Sequence, residues 1–241
     1  MDDELRKIIT GVLAIFVLLG VVFINYQEEK KARKSTNLTR LVARVGIFAS
    51  LSIIIYTVPF FKFTLPFFPS FLEIHFDEIP AFICGFAYGP LAGVLVIVIK
   101  TLVKLPISHT FWVGELSDLI YSIAFILPAS LIYKKNRKFK GAMLGIGVGT
   151  AIQLVVAMLG NVYIMIPFYL YLAEFKIPAA KLLEMMQKAN PNITDIRWSY
   201  GIFAVLPFNA LKDALVIIIT LIIYKPLRKL IEKAHFDNAG L

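Results

Sequence analysis

The sequence is dominated by apolar segments that are long enough to cross a lipid bilayer as helices. Seven of them follow one another: residues 8–24, 41–58, 80–88 with their flanks, 91–105, 115–133, 141–168 and 202–224. A transmembrane helix needs about 20 apolar residues to span roughly 30 Å of hydrocarbon. Hydrophobic residues form 59% of the chain and charged residues 17%, which is more apolar than a soluble domain. We therefore predict an all-α polytopic membrane protein with no separate soluble domain.

The basic residues predict the orientation of these spans. Lys and Arg, which give the chain a net charge of +9, cluster at residues 30–34, 134–140 and 225–229. The clusters lie beside the ends of apolar segments, whereas nucleic-acid binding would favour one continuous basic face. Segment 8–24 has an acidic start and a basic end, the reverse of a signal peptide, so we expect a retained helix with the N-terminus outside. All three clusters and the C-terminus then lie in the cytoplasm, as the positive-inside rule requires.

The expected organisation has three parts. Residues 1–40 form an N-terminal transmembrane helix and a basic cytoplasmic linker, residues 41–229 form a six-helix membrane domain, and residues 230–241 form a cytoplasmic tail. Two outer loops are predicted within the six-helix domain. The first, 60–78, is rich in Phe and Pro, and the second, 169–197, contains a predicted amphipathic helix at 179–188.

The sequence does not indicate catalytic or metal chemistry. It contains no P-loop pattern, so we expect no nucleotide hydrolysis by this chain. The single cysteine, Cys84, has no partner for a disulfide within the chain, and its apolar surroundings indicate a packing role. The histidines His75, His109 and His235 have no carboxylate or second histidine at ligand spacing. We therefore predict neither a metal site nor a catalytic triad.

Five polar side chains associated with the apolar segments predict a binding site. Asn209 and Lys212 lie one helical turn apart in the last segment, and Asn161 lies near the outer end of the preceding one. Glu115 and Asp118 open another segment from the outside. Amide and charged groups are costly in hydrocarbon unless a partner or a ligand satisfies them. Since the topology places all five at a similar depth, we expect them to converge.

The chemistry of this set favours a neutral, planar ligand with several hydrogen-bonding groups. A carboxamide both donates and accepts, and an ammonium donates to a carbonyl or ring nitrogen. Apolar cover would come from the first outer loop and the last segment, through Phe67, Phe68, Phe71, Leu72 and Phe208. The alternative interpretation is a network between helices that binds no ligand. In that case Lys212 pairs with Asp118, Glu115 or Asp213.

Small residues at four-residue spacing predict where helices approach one another closely. Two such stripes are interpreted as packing within the bundle, and they consist of Gly141, Gly145 and Gly149 and of Gly85, Gly89 and Gly93. A third stripe lies on the first span after the basic linker and consists of Ala43, Gly46, Ala49 and Ser50. We predict that the third stripe faces another subunit.

Four stretches of the sequence resemble the riboflavin-specific S components of energy-coupling factor (ECF) transporters. They are PFFPSFLEIHFDEIPAFICGFAYGPLAGVLVIVIK, GELSDLIYSIAFILPASLIYKK, KGAMLGIGVGTAIQLVVAMLGNVYIMIPFY and LPFNALKDALVIIITLIIYKPL. The resemblance covers residues 41–229, that is, six spans in order. It implies a six-helix receptor that captures riboflavin near the outer face and is not an enzyme. It also implies docking on a transmembrane coupling protein that carries two ATPase subunits, which is consistent with the lack of a P-loop.

The resemblance also assigns roles to particular residues. It implies that Asn161, Asn209 and Lys212 contact the flavin and that the loop at 69–77 closes over it. We add Asp118, Glu115, Leu72 and Phe71 to the predicted substrate-binding set, although many relatives are expected to have Asn at the position of Asp118. The predicted coupling interface consists of Gly46, Ala49 and Ser50. No cofactor is expected besides the transported flavin, and the extra helix at 8–24 departs from the six-helix pattern.

Three alternatives remain open from the sequence. The first is an S component for another vitamin or for the flavin phosphate FMN, because Lys212 also suits an anionic ligand. The second is an intramembrane enzyme that uses Glu115 and Asp118 as acid and base. The third is a membrane scaffold without small-molecule binding.

Overall fold

The structure, a computed structural model, describes residues 38–108, 112–171 and 177–239. These residues form nine α-helices: α1 (Leu38–Thr57), α2 (Glu78–Tyr88), α3 (Pro90–Lys104), α4 (Val113–Lys135), α5 (Phe139–Gly160), α6 (Ile166–Tyr171), α7 (Ala179–Ala189), α8 (Trp198–Tyr200) and α9 (Leu206–Ala239). Within the described ranges there is no β-strand, only an isolated bridge between Phe63 and Ile74. The prediction of an all-α protein is confirmed for this part of the chain.

Four helical segments in the described ranges are long and apolar enough to cross a membrane. They are Pro90–Ile107, Val113–Lys135, Phe139–Tyr171 and Trp198–Ile223. Two further apolar helices, Leu41–Thr57 and Glu78–Tyr88, are shorter. These six segments coincide with the six predicted from residue 41 onwards, although only four meet the length expected of a span. The predicted helix at 8–24 lies outside the described residues.

Helix α2 is short and is enclosed by the rest of the bundle. It packs against α1, α3, α4 and α9, and every residue from Glu78 to Ala87 is buried. Cys84 is fully buried among them, as its packing role predicts. The chain then reverses at Gly89, whose φ of 103° favours glycine, and Pro90 begins α3.

The glycine stripes allow these helices to approach closely, as predicted, except that Gly89 lies in the turn between α2 and α3. Gly145 and Gly149 face the backbone of α4 and Gly141 faces Asn136 just after it, and a Cβ atom at Gly145 would lie 2.5 Å from the Ala129 carbonyl oxygen. A Cβ atom at Gly93 would lie 2.9 Å from the Cα atom of Gly85. Because real Cβ atoms do not make such contacts, any larger residue would separate the helices.

The loop between α1 and α2 folds back over one end of the bundle. Phe63 and Ile74 exchange two backbone hydrogen bonds, of 3.2 and 2.9 Å, across the base of this loop. The Ser52 hydroxyl of α1 donates to the Asp77 carbonyl oxygen over 2.6 Å. The loop is therefore anchored to helix α1, and its apolar residues Leu72 and Ile74 join a core with α7 and Phe208.

Helix α7 confirms the predicted amphipathic helix and extends it by one residue. Leu182 and Met186 are buried, while Lys181, Glu184 and Lys188 are exposed. Glu184 and Lys188 form an ion pair of 2.9 Å along the exposed face. The helix therefore lies on the bundle with one face in the core and the other outside it.

The stripe on α1 is only partly exposed. Ala43, Gly46 and Ser50 lie on the surface, and a Cβ atom built on Gly46 meets no atom within 4 Å. Ala49, in contrast, is 2% exposed and belongs to the core. The placement of Ala49 on the same surface was therefore wrong, because one residue of helix rotates a side chain by about 100°.

Candidate functional site

A cavity of about 390 Å³ lies where α4 begins, α5 ends and α9 begins, beneath the loop between α1 and α2. Its lining includes all seven residues of the predicted substrate-binding set: Phe71, Leu72, Glu115, Asp118, Asn161, Asn209 and Lys212. The remaining lining residues are Tyr56, Lys62, Glu73, His75, Lys104, Gly114, Ser117, Tyr121, Met165, Tyr169 and Phe208. The convergence expected from the topology is thus observed.

Asn161 reaches the cavity from the first position of a π-helical turn, Asn161–Met165. Its amide nitrogen donates to the Ala157 carbonyl oxygen over 2.9 Å. The buried Tyr200 hydroxyl donates to the Asn161 side-chain oxygen over 3.1 Å. Because both ends of the amide are bound by protein, the orientation of the Asn161 side chain is set before any ligand arrives.

Asn209 is held in the same manner in α9. A second π-helical turn, Gly201–Val205, precedes α9, and the Asn209 amide nitrogen donates to the Val205 carbonyl oxygen over 2.8 Å. The Gln153 amide nitrogen of α5 donates to the Asn209 side-chain oxygen over 3.0 Å. One N–H and one lone pair of Asn209 are left for a ligand. Wider π-helical turns are frequent at functional sites; the first supplies Asn161 and Met165 to the cavity lining, and the second directly precedes the helix that carries Asn209.

Lys212 belongs to a buried chain of alternating charges. Its ammonium lies 2.9 Å from Glu78 Oε1 and 3.7 Å from Asp118 Oδ1. The Lys100 ammonium lies 2.9 Å from Asp118 Oδ2 and also binds Asp77. Ser122 donates a further hydrogen bond of 3.1 Å to Glu78 Oε1. Each ammonium therefore binds two carboxylates, which is what permits these charges to be buried.

The predicted partners of Lys212 are only partly correct. Asp118 is a partner, but Glu78 lies closer to the ammonium. Glu115 instead accepts a hydrogen bond of 2.7 Å from the Ser108 hydroxyl. Asp213 is fully buried next to Lys212 in sequence and does not line the cavity. The prediction therefore missed Glu78, because it placed this residue at the end of an outer loop rather than at the start of α2.

The prediction that His75 has no carboxylate at ligand spacing was wrong. Donor atoms of His75, Asp77 and Glu78 lie within 4.8 Å of one another, although the sequence reading found no carboxylate at ligand spacing. Lys100 and Lys212 bind the two carboxylates, and these ammoniums disfavour a metal cation. Burial, together with nearby Lys212, lowers the pKa of His75 to about 3, so the ring is neutral and its Nδ1–H donates to Asp77.

Five phenylalanine and tyrosine rings form part of the cavity wall: Tyr56, Phe71, Tyr121, Tyr169 and Phe208. Phe71 packs against Tyr169 and Tyr200, with ring centroids 5.8 and 6.1 Å apart. Phe208 packs against Phe68 of the loop at 5.4 Å. A flat apolar body can lie between such rings while a polar edge meets Asn209 and Lys212. The geometry thus suits a planar, multiply hydrogen-bonding ligand.

Comparisons with known proteins agree with one another. A family model described as "ECF transporter, substrate-specific component" matches residues 40–224. The chain is 26% identical over 190 residues to the riboflavin transporter RibU of Staphylococcus aureus, which covers 79% of this chain and 93% of that protein. It is 26% identical over 196 residues to the riboflavin transporter FmnP of Bacillus subtilis, covering 80% and 95%.

One solved structure shares the fold. It is described as the S component of a bacterial ECF transporter and superimposes with a TM-score of 0.61 at 22% identity. The match covers 80% of this chain and 97% of the other. The described helices therefore have the arrangement of an S component.

Proposed function

Because the chain belongs to the family of substrate-specific components of ECF transporters, we propose that it captures riboflavin in the cavity for import. Members of this family are transport proteins, so the chain is a transporter subunit and not an enzyme. The observation that carries the proposal is the meeting of Asn161, Asn209 and Lys212 at one aromatic cavity. The riboflavin transporters named above are the relatives that support this ligand.

The polar edge of a flavin ring matches the hydrogen-bonding groups that the site leaves available. That edge presents two carbonyl oxygens with an N–H between them. Asn209 offers one N–H and one lone pair, and Lys212 offers an N–H. In the proposed complex the Asn209 amide pairs with the ring N–H and a carbonyl, and the Lys212 ammonium donates to a carbonyl or to a ring nitrogen. Asn161 contributes a lone pair of its side-chain oxygen.

The acidic groups at the other side of the cavity suit the hydroxyl groups of the ribityl chain. Glu115 and Asp118 both line the cavity, and their oxygens accept hydrogen bonds from hydroxyls. A phosphate ester would place negative charge near the same carboxylates, so we propose riboflavin as the preferred ligand over FMN. The volume of about 390 Å³ falls within the usual range of roughly 300–1,000 Å³ for ligand pockets.

The orientation and partners complete the proposal. The basic run at 134–140 follows α4 at the end remote from Glu115, so the positive-inside rule places the cavity near the outer face. We propose six membrane-crossing helices in residues 41–229, a further one at 8–24, and a cytoplasmic tail at 230–241. Delivery inward would use a transmembrane coupling protein with two ATPase subunits, as the family implies.

Titration of riboflavin fluorescence with detergent-purified protein tests the proposal. A flavin enclosed among aromatic rings is expected to be quenched, with saturation near one flavin per chain. Competition by FMN in the same assay measures how far a phosphate is accepted. Folded, monodisperse protein that leaves the fluorescence unchanged would contradict riboflavin binding, and other vitamins would then be titrated by calorimetry.

A second test concerns the surface stripe on α1. Replacing Gly46 and Ser50 by Leu is expected to abolish riboflavin uptake by cells while binding to the purified protein stays unchanged. The reason is that both residues are exposed, and small residues permit close approach of a second helix. The matched control is Gly147→Leu on α5, where an added Cβ atom also meets open space. Loss of binding in the double variant would place the stripe inside the bundle instead.

A further inference from the structure

Gln153 is a buried amide in the middle of a helix that consists mostly of apolar residues. It lies in α5, two turns before Asn161, and is 1% exposed. It does not line the cavity. A buried amide is costly unless its hydrogen bonds are made, yet the Gln153 oxygen has no partner among the described residues. Among the described residues, the one hydrogen bond of the Gln153 side chain is the donation to Asn209.

The neighbouring hydrogen bonds determine which atom of each amide, nitrogen or oxygen, lies in the contact between Gln153 and Asn209. The Asn209 nitrogen must face the Val205 carbonyl oxygen, because a carbonyl only accepts hydrogen bonds. The Asn209 oxygen therefore faces Gln153, which must present its nitrogen. Gln153 and Val205 together bind both ends of the Asn209 amide and fix which end meets the ligand.

We propose that Gln153 is a positioning residue for flavin recognition, which acts through Asn209 without touching the ligand. The inference rests on the proposed function, since it assumes that the Asn209 amide pairs with the polar edge of the flavin. Without Gln153, the Asn209 amide keeps only its hydrogen bond to the Val205 carbonyl, and its terminal torsion, which has broad preferences, is less restricted. The Asn209 oxygen and its remaining N–H would then match the ring N–H and carbonyl for only part of the time.

The structure also separates this role from a role in stability. Replacing Gln153 by Met removes the donor to Asn209 and, at the same time, an acceptor that has no partner. Removing an unsatisfied buried group offsets the loss of the hydrogen bond. The Gln153→Met variant is therefore expected to unfold at nearly the same temperature as the wild type while binding riboflavin more weakly.

A double-mutant cycle with Asn209→Ala tests the proposal, using the riboflavin titration as the readout. In the wild-type background, Gln153→Met is expected to weaken binding by about tenfold, the usual effect of one hydrogen bond at a buried site. In the Asn209→Ala background the same change is expected to alter affinity by less than about twofold, because the residue it positions is gone. The matched control is Gln187→Met in α7, which removes a donor to the Ile193 carbonyl, and neither residue lines the cavity.

A riboflavin analogue methylated at the ring N–H provides a second readout. It cannot make the contact that Asn209 recognises, so wild type and Gln153→Met should bind it equally. Additive losses in the cycle, or equal weakening for both ligands, would overturn the positioning role. If Gln153→Met does not fold, Gln153→Leu takes its place in the same cycle. Wild-type protein that does not bind riboflavin at all would instead contradict the proposed function.

Discussion

Replacing Lys212 by Met is expected to weaken riboflavin binding by about tenfold or more, because a charged hydrogen bond to the flavin edge contributes about 1.5–3 kcal/mol. The ammonium lines the cavity while Glu78, at 2.9 Å, and Asp118, at 3.7 Å, hold it in place. Two of its donors are thus directed at protein, and the third remains for a ligand. The fluorescence titration gives the dissociation constant of the variant directly.

The control must distinguish two effects of the substitution. One is the loss of a hydrogen bond to the ligand, and the other is the destabilisation caused by a carboxylate that is left unpaired. Met at position 212 leaves Glu78 without its ammonium, and an uncompensated buried charge destabilises the fold. In Lys212→Met/Glu78→Gln the second change neutralises that carboxylate, so this variant is expected to fold while riboflavin binding stays weak. Recovery of wild-type affinity in the double variant would show that Lys212 acts only on the fold and does not donate to the flavin.

Replacing Lys100 by Met is expected to have the largest effect on stability, at about 3–5 kcal/mol, the usual result of removing one partner from a buried ion pair. Lys100 is fully buried, binds Asp77 and lies 2.9 Å from Asp118. Its ammonium also lies 4.4 Å from the centroid of the Tyr56 ring. Without it, the three carboxylates Asp77, Glu78 and Asp118 share the interior with Lys212 as the remaining ammonium of the chain of charges. A fall in unfolding temperature and in the yield of monodisperse protein measures the effect.

Two comparisons make this prediction specific. Lys104→Met, one turn further along α3, removes a half-buried lysine and is expected to change stability by no more than about 0.5 kcal/mol, as surface substitutions do. Lys100→Met/Asp77→Asn removes one of the stranded charges and should recover part of the loss. If Lys100→Met is as stable as Lys104→Met, the chain of charges does not hold the loop and the helices together.

The residues of the cavity were predictable because membrane burial makes polar groups conspicuous. Asn161, Asn209, Lys212 and Asp118 stand out within apolar segments, where an unsatisfied group is costly. The alternating orientation of the spans then places their outer ends at one level. The free-energy cost of burying these polar groups and their similar depth in the membrane were enough to predict that they line one cavity.

The partners of those residues were not predictable in the same way. Asp77 and Glu78 lie at the boundary between loop and helix, where a carboxylate is expected to be exposed to solvent. Gln153 stands two turns below Asn161, and its direction depends on the rotation of α5 about its axis. Lys100, in contrast, is a lone charge within an apolar segment, and such a position does indicate a buried partner.

The sequence by itself determined that this protein is a helical membrane protein, which polar side chains enter its bundle, and which helices pack through glycine. Those properties follow from hydrophobicity, helical period and side-chain size, which are local to each segment. Only the tertiary structure decided that Lys212 binds Glu78, that Gln153 donates a hydrogen bond to Asn209 and that Ala49 lies in the core. Hydrogen bonds and ion pairs act over about 3 Å, so they depend on the rotation and depth of each helix relative to its neighbours. The packing of the whole bundle sets these two quantities, and no single segment encodes them.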